Sequence, residues 1–344
     1  MPAPKPTKLW KIANSPGKGR GLFATQDLPT GTLIMADSPL MSMPRFHKGP
    51  PIGHAEVKIA YDKLSSKQQK LFMSLSDSGK RPENKHSKIL RIWHTNALTD
   101  EDSDQVSIFP EVSLINHSCA PNAFWTFRPQ TGKCLVTATT HIRKGEEIFL
   151  NYDGDGYWMT AAQRKTILKH LWGFDCTCTA CTSVSCKSNV SDLRRVLIAG
   201  LFCILEKHDG MVEGLYPSTI AAMGKEGKDT FSVVSSRVAQ YTTADYTFAW
   251  WLLAQLLEAE GLCNHNLAAG YSRAMDLLQQ RLDAAGRAGK KVAHLDAYFD
   301  NIRRWTKSAH NVVKLLERRA SSPAFTEGQG WWGPIGVSSK FTST

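Results

Sequence analysis

The sequence predicts an α+β chain: a β-rich first half carrying a helical insert, then an all-α second half. Three observations predict it. Up to Tyr152, short apolar runs of strand length alternate with Gly and Pro turns. From Ser191 onward, apolar residues recur at the helical period of 3.6. Between the two regimes lies Cys176-x-Cys178-x-x-Cys181, a cluster of thiols at metal-ligand spacing.

The first expected strand, Leu33-Ile34-Met35, follows a Pro29-Thr30-Gly31 turn. Residues 43–95 then read as an insert. Ser66-Lys67-Gln68-Gln69 has the Ser-x-x-Gln form of a capping box, followed by Leu71, Phe72 and Leu75 at helical spacing. Ile89, Leu90 and Trp93 mark a second helix. Residues 123–127 and 135–139 flank Pro129-Gln130-Thr131-Gly132, a hairpin with workable turn chemistry. Arg143-Lys144-Gly145-Glu146 is a further turn, leading into a strand over 148–152. Past Ser191, the residues Leu193, Val196, Leu197, Leu201 and Ile204 form one stripe. Helical runs near 229–240, 245–259, 265–284 and 293–318, broken by Gly261, Gly286 and Gly289, predict an array of antiparallel helical hairpins over 190–320. Residues 321–344, rich in Ser, Gly, Pro and Thr, read as a loose tail.

Composition narrows the function classes. With 344 residues and 42% hydrophobic content, the chain is expected to be globular with more than one domain. The start Met1-Pro2-Ala3-Pro4-Lys5-Pro6 has no apolar leader core, and the apolar run 248–257 is too short to span a bilayer. The expectation is a soluble intracellular protein, a monomer with no membrane partner. The eight cysteines are clustered rather than evenly paired, which points to a reducing compartment and a metal rather than a disulfide framework. A net charge of +11 favours an acidic partner, such as chromatin, nucleic acid or an acidic protein surface. The bias is strongest in residues 1–50, with seven Lys/Arg against two Asp. No ladder of alternating aromatic and basic residues marks a single-strand nucleic-acid binder.

Chemistry concentrates at four places. Cys119, Cys176, Cys178 and Cys181 supply four thiolates, the number a closed tetrahedral zinc site takes, and would pin a distant segment onto the Asn116-His117-Ser118 loop. Cys186 is a spare thiol; Cys134, Cys203 and Cys263 sit in strand or helix patterns and read as core. Lys18-Gly19-Arg20-Gly21 is a turn whose backbone a ligand can approach closely, because glycine lacks a Cβ. Asn116 offers both a donor and an acceptor. Tyr152 looks exposed, at the end of a strand. His141, His170 and His208 lack partners at metal spacing, and Trp250-Trp251 reads as packing.

Together, Gly19-Arg20-Gly21-Leu22-Phe23-Ala24, Ile115-Asn116-His117-Ser118-Cys119-Ala120-Pro121-Asn122, Gly145-Glu146-Glu147-Ile148-Phe149-Leu150-Asn151-Tyr152 and the cysteine tail resemble, in this order, the SET-domain methyltransferases. The resemblance implies a SET domain over 8–153 whose Asn116 and Tyr152 segments cross in a pseudoknot, and a zinc-bound post-SET segment over 154–187. The helical C-terminal region over 190–320 is similar to that of SET-and-MYND proteins, of the tetratricopeptide-like type; the MYND finger itself is missing. It further implies S-adenosylmethionine as methyl donor and transfer to a protein lysine, histone or non-histone, in the nucleus or cytoplasm. Cofactor contacts would come from Lys18, Gly19, Arg20, Asn116, His117, Tyr152, Trp172 and Phe174, with Tyr152 catalytic. Zinc ligands would be Cys119, Cys176, Cys178 and Cys181. Where many SET enzymes carry a second Tyr before the cysteines, this chain has Trp172 and Phe174. That departure leaves a non-catalytic adaptor, regulating transcription through partner binding, as the competing reading.

Overall fold

The computed structural model describes residues 8–44, 53–77, 86–99, 105–128, 130–152, 159–182, 190–192, 194–195, 197–198, 201, 246–262 and 280. The chain divides into two compact units, Met1–Tyr152 with Leu168–Asp175, and Asp153–Ile167 with Cys176–Thr344. The helical runs expected near 229–240 and 293–318, most of that near 265–284, the tail, and Cys186, Cys203, Cys263 and His208 lie outside the described residues.

In the first unit, β1 (Trp10–Ser15) and β2 (Gly19–Ala24) form an antiparallel hairpin with Ser15 opposite Gly19. Gly17 and Gly19 hold positive φ, and Lys18 N–H closes the turn on Ser15 O at 3.0 Å. The outer edge of β2 is occupied by residues 146–148: Ala24 N–H bonds Glu146 O at 2.9 Å and Ile148 N–H bonds Leu22 O at 2.8 Å. β3 (Leu33–Asp37), β9 (Lys133–Ala138) and β8 (Ala123–Arg128) make a three-stranded antiparallel sheet in the order β3-β9-β8. The expected hairpin is thus present, with β8 one residue longer than expected and β9 beginning two residues earlier and ending one earlier. Its core gathers Trp10, Leu22, Leu28, Ile34, Phe109, Ile115, Val136, Ile142, Ile148 and Leu150.

The insert has its own core. β4 (Met41–Pro44), β6 (Gln105–Ile108) and β5 (Ala97–Thr99) form a second small sheet, order β4-β6-β5. Helices α1 (His54–Asp62), α2 (Ser66–Met73) and α3 (Lys88–Asn96) pack on it through Val57, Phe72, Leu90, Ile92 and Trp93. The capping box of α2 sits one residue earlier than the sequence pattern suggests. Ser65, in extended backbone, is the N-cap; its N–H donates to Gln68 Oε1 at 3.0 Å and its hydroxyl accepts from Gln68 N–H. Ser66 is already helical.

A one-turn 3₁₀ helix, Val112–Leu114, leads into β7 (Asn116–His117), which pairs in parallel with β10 (Phe149–Leu150). The strand expected over 148–152 is therefore only two residues long. Beyond Leu150 the neighbouring backbone no longer supplies the partner, and a side chain takes over: Tyr152 N–H donates to His117 Nδ1 at 3.1 Å.

The second unit is described in part. α4 (Ala161–Trp172) begins there, with Thr160 and Gln163 bonding each other's backbone N–H in a capping box and Asp192 Oδ1 accepting from Ala161 N–H at 2.7 Å. The helix Tyr246–Ala259 covers the expected run at 245–259. Of the stripe past Ser191, Leu201 is buried and Leu197 partly so, while Leu193, Val196 and Ile204 lie outside the described residues; Ile198 is buried too, and so is Arg195, which no apolar pattern foresees. Arg195 Nε donates to Glu260 Oε2 at 2.9 Å, with Ser191 Oγ donating to the same oxygen at 2.6 Å. Pairing and extra hydrogen bonding are what let a guanidinium sit in a core.

Asp37 ties these pieces together at the end of β3. Its Oδ2 accepts from the N–H groups of Glu111 at 2.6 Å and Val112 at 3.0 Å, fixing the 3₁₀ turn that delivers β7. Burial is the largest influence on the carboxyl and raises its pKa, offset in part by those hydrogen bonds. The folded chain thus holds this proton more tightly than the unfolded one. The contribution to stability is present at low pH and is lost as pH rises through the raised pKa. Asp37→Ala strips the acceptor from one buried and one partly buried donor and is expected to cost about 1–3 kcal/mol in urea unfolding. Asp37→Asn keeps an acceptor, costs less, and flattens the stability curve just above the ordinary carboxylate range of about pH 4. A stability curve identical to wild type would remove Asp37 as the source.

Candidate functional site: the Asn116–Tyr152 crossing and the cysteine cluster

The parallel pairing of β7 and β10 places Asn116 opposite Phe149 and His117 opposite Leu150. Two side chains extend this short ladder. Asn122 Nδ2 donates to Glu147 O at 2.8 Å while its Oδ1 accepts from Phe149 N–H at 2.8 Å. One amide side chain thus bonds the strand the way a neighbouring backbone would. On the other side, Ser118 N–H donates to Leu150 O at 2.9 Å.

Tyr152 is partly buried rather than exposed. Its hydroxyl donates to Ile115 O at 2.8 Å. Burial pushes the phenol pKa well above its ordinary value, and the charge of Glu147 adds to the rise. The group is neutral at any ordinary pH. Around it stand His117 at 5.3 Å between ring centroids, Trp172 at 5.8 Å and Phe174 at 6.4 Å, the last edge-on. Phe174 also packs on His117 at 5.9 Å. The two aromatic residues standing where a second Tyr was expected are therefore both brought to Tyr152, and neither carries a hydroxyl.

Lys18, Gly19 and Arg20 come to the same crossing from the β1–β2 turn. Lys18 Nζ lies 4.2 Å from the centroid of the Phe149 ring, a cation–π contact with β10. The Arg20 guanidinium donates to Ser74 O, the carbonyl at the end of α2, where a cation also meets the negative end of the helix dipole. Asn116 Nδ2 donates to Arg20 O at 3.0 Å and Glu147 Oε1 at 2.7 Å. At Gly17 and Gly19, nothing among the described residues lies within 4 Å of where a Cβ would project, so the turn offers open backbone to a ligand.

His117 is 4% exposed. Because Nδ1 accepts from Tyr152 N–H, the neutral ring carries its proton on Nε2, which lies 3.2 Å from Cys119 Sγ. Cys119, Cys176 and Cys178 are buried and Cys181 partly so. The sulfurs of these four cysteines all lie within 4.8 Å of one another. Four thiolates about 2.3 Å from one tetrahedral zinc ion would sit roughly 3.8 Å apart, so the donor set and its spread fit such an ion. Arg164 adds to the fit: its Nη2 donates to Cys181 Sγ at 3.5 Å and Ala180 O at 3.0 Å, a cation that favours the ionised thiol. The cluster can hold a metal ion. Of the residues read as core or surface from sequence, Cys134 is buried in β9, while His141 and His170 are exposed.

The sequence pattern did not single out Ser15, Glu147 or Arg164. Each reaches its partner across a long stretch of chain, or by a bend of the backbone, and carries no local signature. The one hint lies in the alternation of 147–150, where Ile148 and Leu150 are buried and leave Glu147 and Phe149 on the other face.

Comparison with known proteins finds likenesses for this stretch of chain. Residues 19–153 match the family profile described as SET domain. Histone-lysine N-methyltransferase set5 of Schizosaccharomyces pombe is 30% identical over 197 residues, 57% of this chain and 58% of that protein. N-lysine methyltransferase SMYD2-B of Danio rerio is 34% identical over 107 residues, 29% of this chain and 24% of that protein. Histone-lysine N-methyltransferase ASHR1 of Arabidopsis thaliana is 32% identical over 108 residues, 31% of this chain and 21% of that protein. The chain thus spans little more than half of the first relative and about a quarter or less of the others.

Metal analysis of protein purified without chelator is expected to find one zinc ion per chain. Cys178→Ser should lower that content and loosen the segment around it, because metal binding and local folding are coupled. Zinc-free protein with native circular dichroism would overturn the ligand set.

Proposed function

We propose that this chain, whose residues 19–153 match the SET domain profile, transfers methyl groups from S-adenosylmethionine to a lysine side chain of a protein. The observation that carries the proposal is Tyr152, its hydroxyl proton committed to Ile115 O within an aromatic enclosure of His117, Trp172 and Phe174. Lys18, Gly19, Arg20, Asn116, His117, Tyr152, Trp172 and Phe174 would border the donor, and the Trp172 and Phe174 rings would also wall the lysine channel. Cys119, Cys176, Cys178 and Cys181 would hold zinc as a structural ion. The parallel β7–β10 pair supports the crossing of the Asn116 and Tyr152 segments as the family's pseudoknot.

The donor supplies a methyl group on a sulfonium, an electrophile that needs no further activation. What remains for the protein is alignment and exclusion of water. The amine must arrive neutral, and an apolar channel favours loss of its proton. Tyr152 does not take that proton, since its own is held by Ile115 O and its pKa is raised. Its oxygen retains only acceptor capacity, suited to orienting an amine N–H or a polarised methyl C–H. The aromatic rings stabilise the cationic centre as it passes from sulfur to nitrogen.

The net charge of +11 supports an acidic or chromatin-associated partner. Two relatives are named histone-lysine methyltransferases, which supports a histone among the substrates and action in the nucleus, with non-histone proteins and the cytoplasm as the other arm. No helix among the described residues is long and apolar enough to cross a membrane. The second reading, a non-catalytic adaptor, draws on Trp172 and Phe174, which place no second phenol beside Tyr152.

Tyr152→Phe is expected to lower kcat by roughly 10²–10³, the scale for one polar group acting in a transition state, while changing the Kd for S-adenosylmethionine far less. Turnover should rise with pH as the substrate amine deprotonates, with no inflection belonging to Tyr152 below about pH 10. The assay is methyl transfer to histones and cell-extract proteins. Equal activity of wild type and variant would make Tyr152 structural. A wild type that neither binds the donor nor methylates any protein would establish the adaptor.

A further inference from the structure

Glu147 holds a position that neither catalysis nor metal binding explains. Its carboxylate is pinned at both oxygens by groups far off in sequence: Ser15 Oγ donates to Oε2 at 2.8 Å, and Asn116 Nδ2 donates to Oε1 at 2.7 Å. These two contacts bracket the Ser15–Gly21 turn. Ser15, 2% exposed, ends β1 and begins the turn. At the other end, Asn116, held by Glu147, reaches Arg20 O at 3.0 Å.

Gly21 lies directly beneath. A Cβ built there would meet Glu147 Oε1 at 2.3 Å, Glu147 Cδ at 3.1 Å and Asn116 Nδ2 at 2.9 Å. Gly21 is not at positive φ, so backbone strain is not the reason for glycine at this position. Space is the reason: the carboxylate fills the volume a side chain would take. The backbone agrees with the side chains, since residues 146–148 bond the edge of β2 and set Glu147 opposite Phe23.

We propose that Glu147 is a positioning residue: its carboxylate closes the Ser15–Gly21 turn at both ends and holds the open backbone of Gly17 and Gly19 in the shape that receives the methyl donor. The proposal rests on the reading of Lys18–Arg20 as the donor-binding loop. Glu147 acts through Ser15, Asn116 and Gly21, so its removal should be felt in donor affinity and turn mobility before catalysis.

The test compares Glu147→Ala, Glu147→Gln, Gly21→Ala and the double variant Glu147→Ala/Gly21→Ala in the full chain. Three readouts are used: the Kd for S-adenosylmethionine by calorimetry, amide hydrogen exchange over residues 15–24, and the KM for donor against kcat. Glu147→Ala should weaken the donor at least about tenfold, speed exchange through the turn, and raise the KM for donor more than it lowers kcat. Glu147→Gln should recover much of this, because its amide can accept from Asn116 and donate to Ser15 Oγ. Gly21→Ala should be disruptive alone, yet in the Glu147→Ala background add clearly less, since the atoms it strikes at 2.3 and 3.1 Å are gone and Asn116 Nδ2, at 2.9 Å, is a side-chain end released from Glu147. Exchange unchanged in Glu147→Ala, or strictly additive penalties in the double variant, would overturn the proposal. If wild type binds no donor, the methyltransferase reading falls, while exchange and the double variant still decide the clamp.

Discussion

The site hangs on a parallel ladder only two residues long. Parallel pairs are the less stable kind per residue, and an isolated two-stranded ribbon is marginal in water. Phe149–Leu150 against Asn116–His117 would not hold by itself. It is held because side chains stand in for missing backbone. Asn122 offers its amide donor to Glu147 O and its amide oxygen to Phe149 N–H, and the His117 ring accepts the N–H of Tyr152. The Asn116-His117-Ser118-Cys119-x-x-Asn122 stretch is thus strand, ring orienter and surrogate strand in succession. Buried backbone groups are nearly always satisfied, and here the satisfaction comes from residues whose other faces serve the site.

This arrangement couples functions that the sequence shows separately. One ring, His117, receives the backbone of Tyr152 at one nitrogen and lies against a thiol of the cysteine cluster at the other. A change in the cluster therefore reaches Tyr152 through two hydrogen bonds. Ligand-orienting hydrogen bonds of this kind tune both the ligand and what lies beyond it. The same economy applies at Tyr152, where the bond to Ile115 O fixes the ring and also fixes the proton.

Much of this was legible in the sequence. The strands up to Tyr152 and the helix over 246–259 followed from period, the hairpin over β8 and β9 from its turn residues, and the four cysteines from spacing; all four come together. Errors were of two kinds. Boundaries slipped where two residues could play one part: Ser65 and Ser66 both precede a Gln at the right interval, and only the backbone of Ser65 is extended. Polar residues in unexpected places were missed because their reasons are distant. Arg195 is buried because Glu260 meets it 65 residues later. Glu147 matters because of Ser15, 132 residues earlier. Local pattern carries no record of such partners, whereas thiol chemistry declares its purpose in the residue type.

The edge of β2 has a consequence for how the chain comes into being. Leu22 O and Ala24 N–H are bonded by residues 146–148, more than 120 positions downstream. At roughly 5–20 residues per second of synthesis, the β1–β2 ribbon waits on the order of ten seconds with that edge unpaired. The face it will bury, Leu22 and Ala24 among it, waits as well. An open strand edge beside an apolar face is a template for pairing with the wrong chain. Crowded production of this protein should therefore fail through its nascent N-terminal ribbon, well before the finished molecule is at risk.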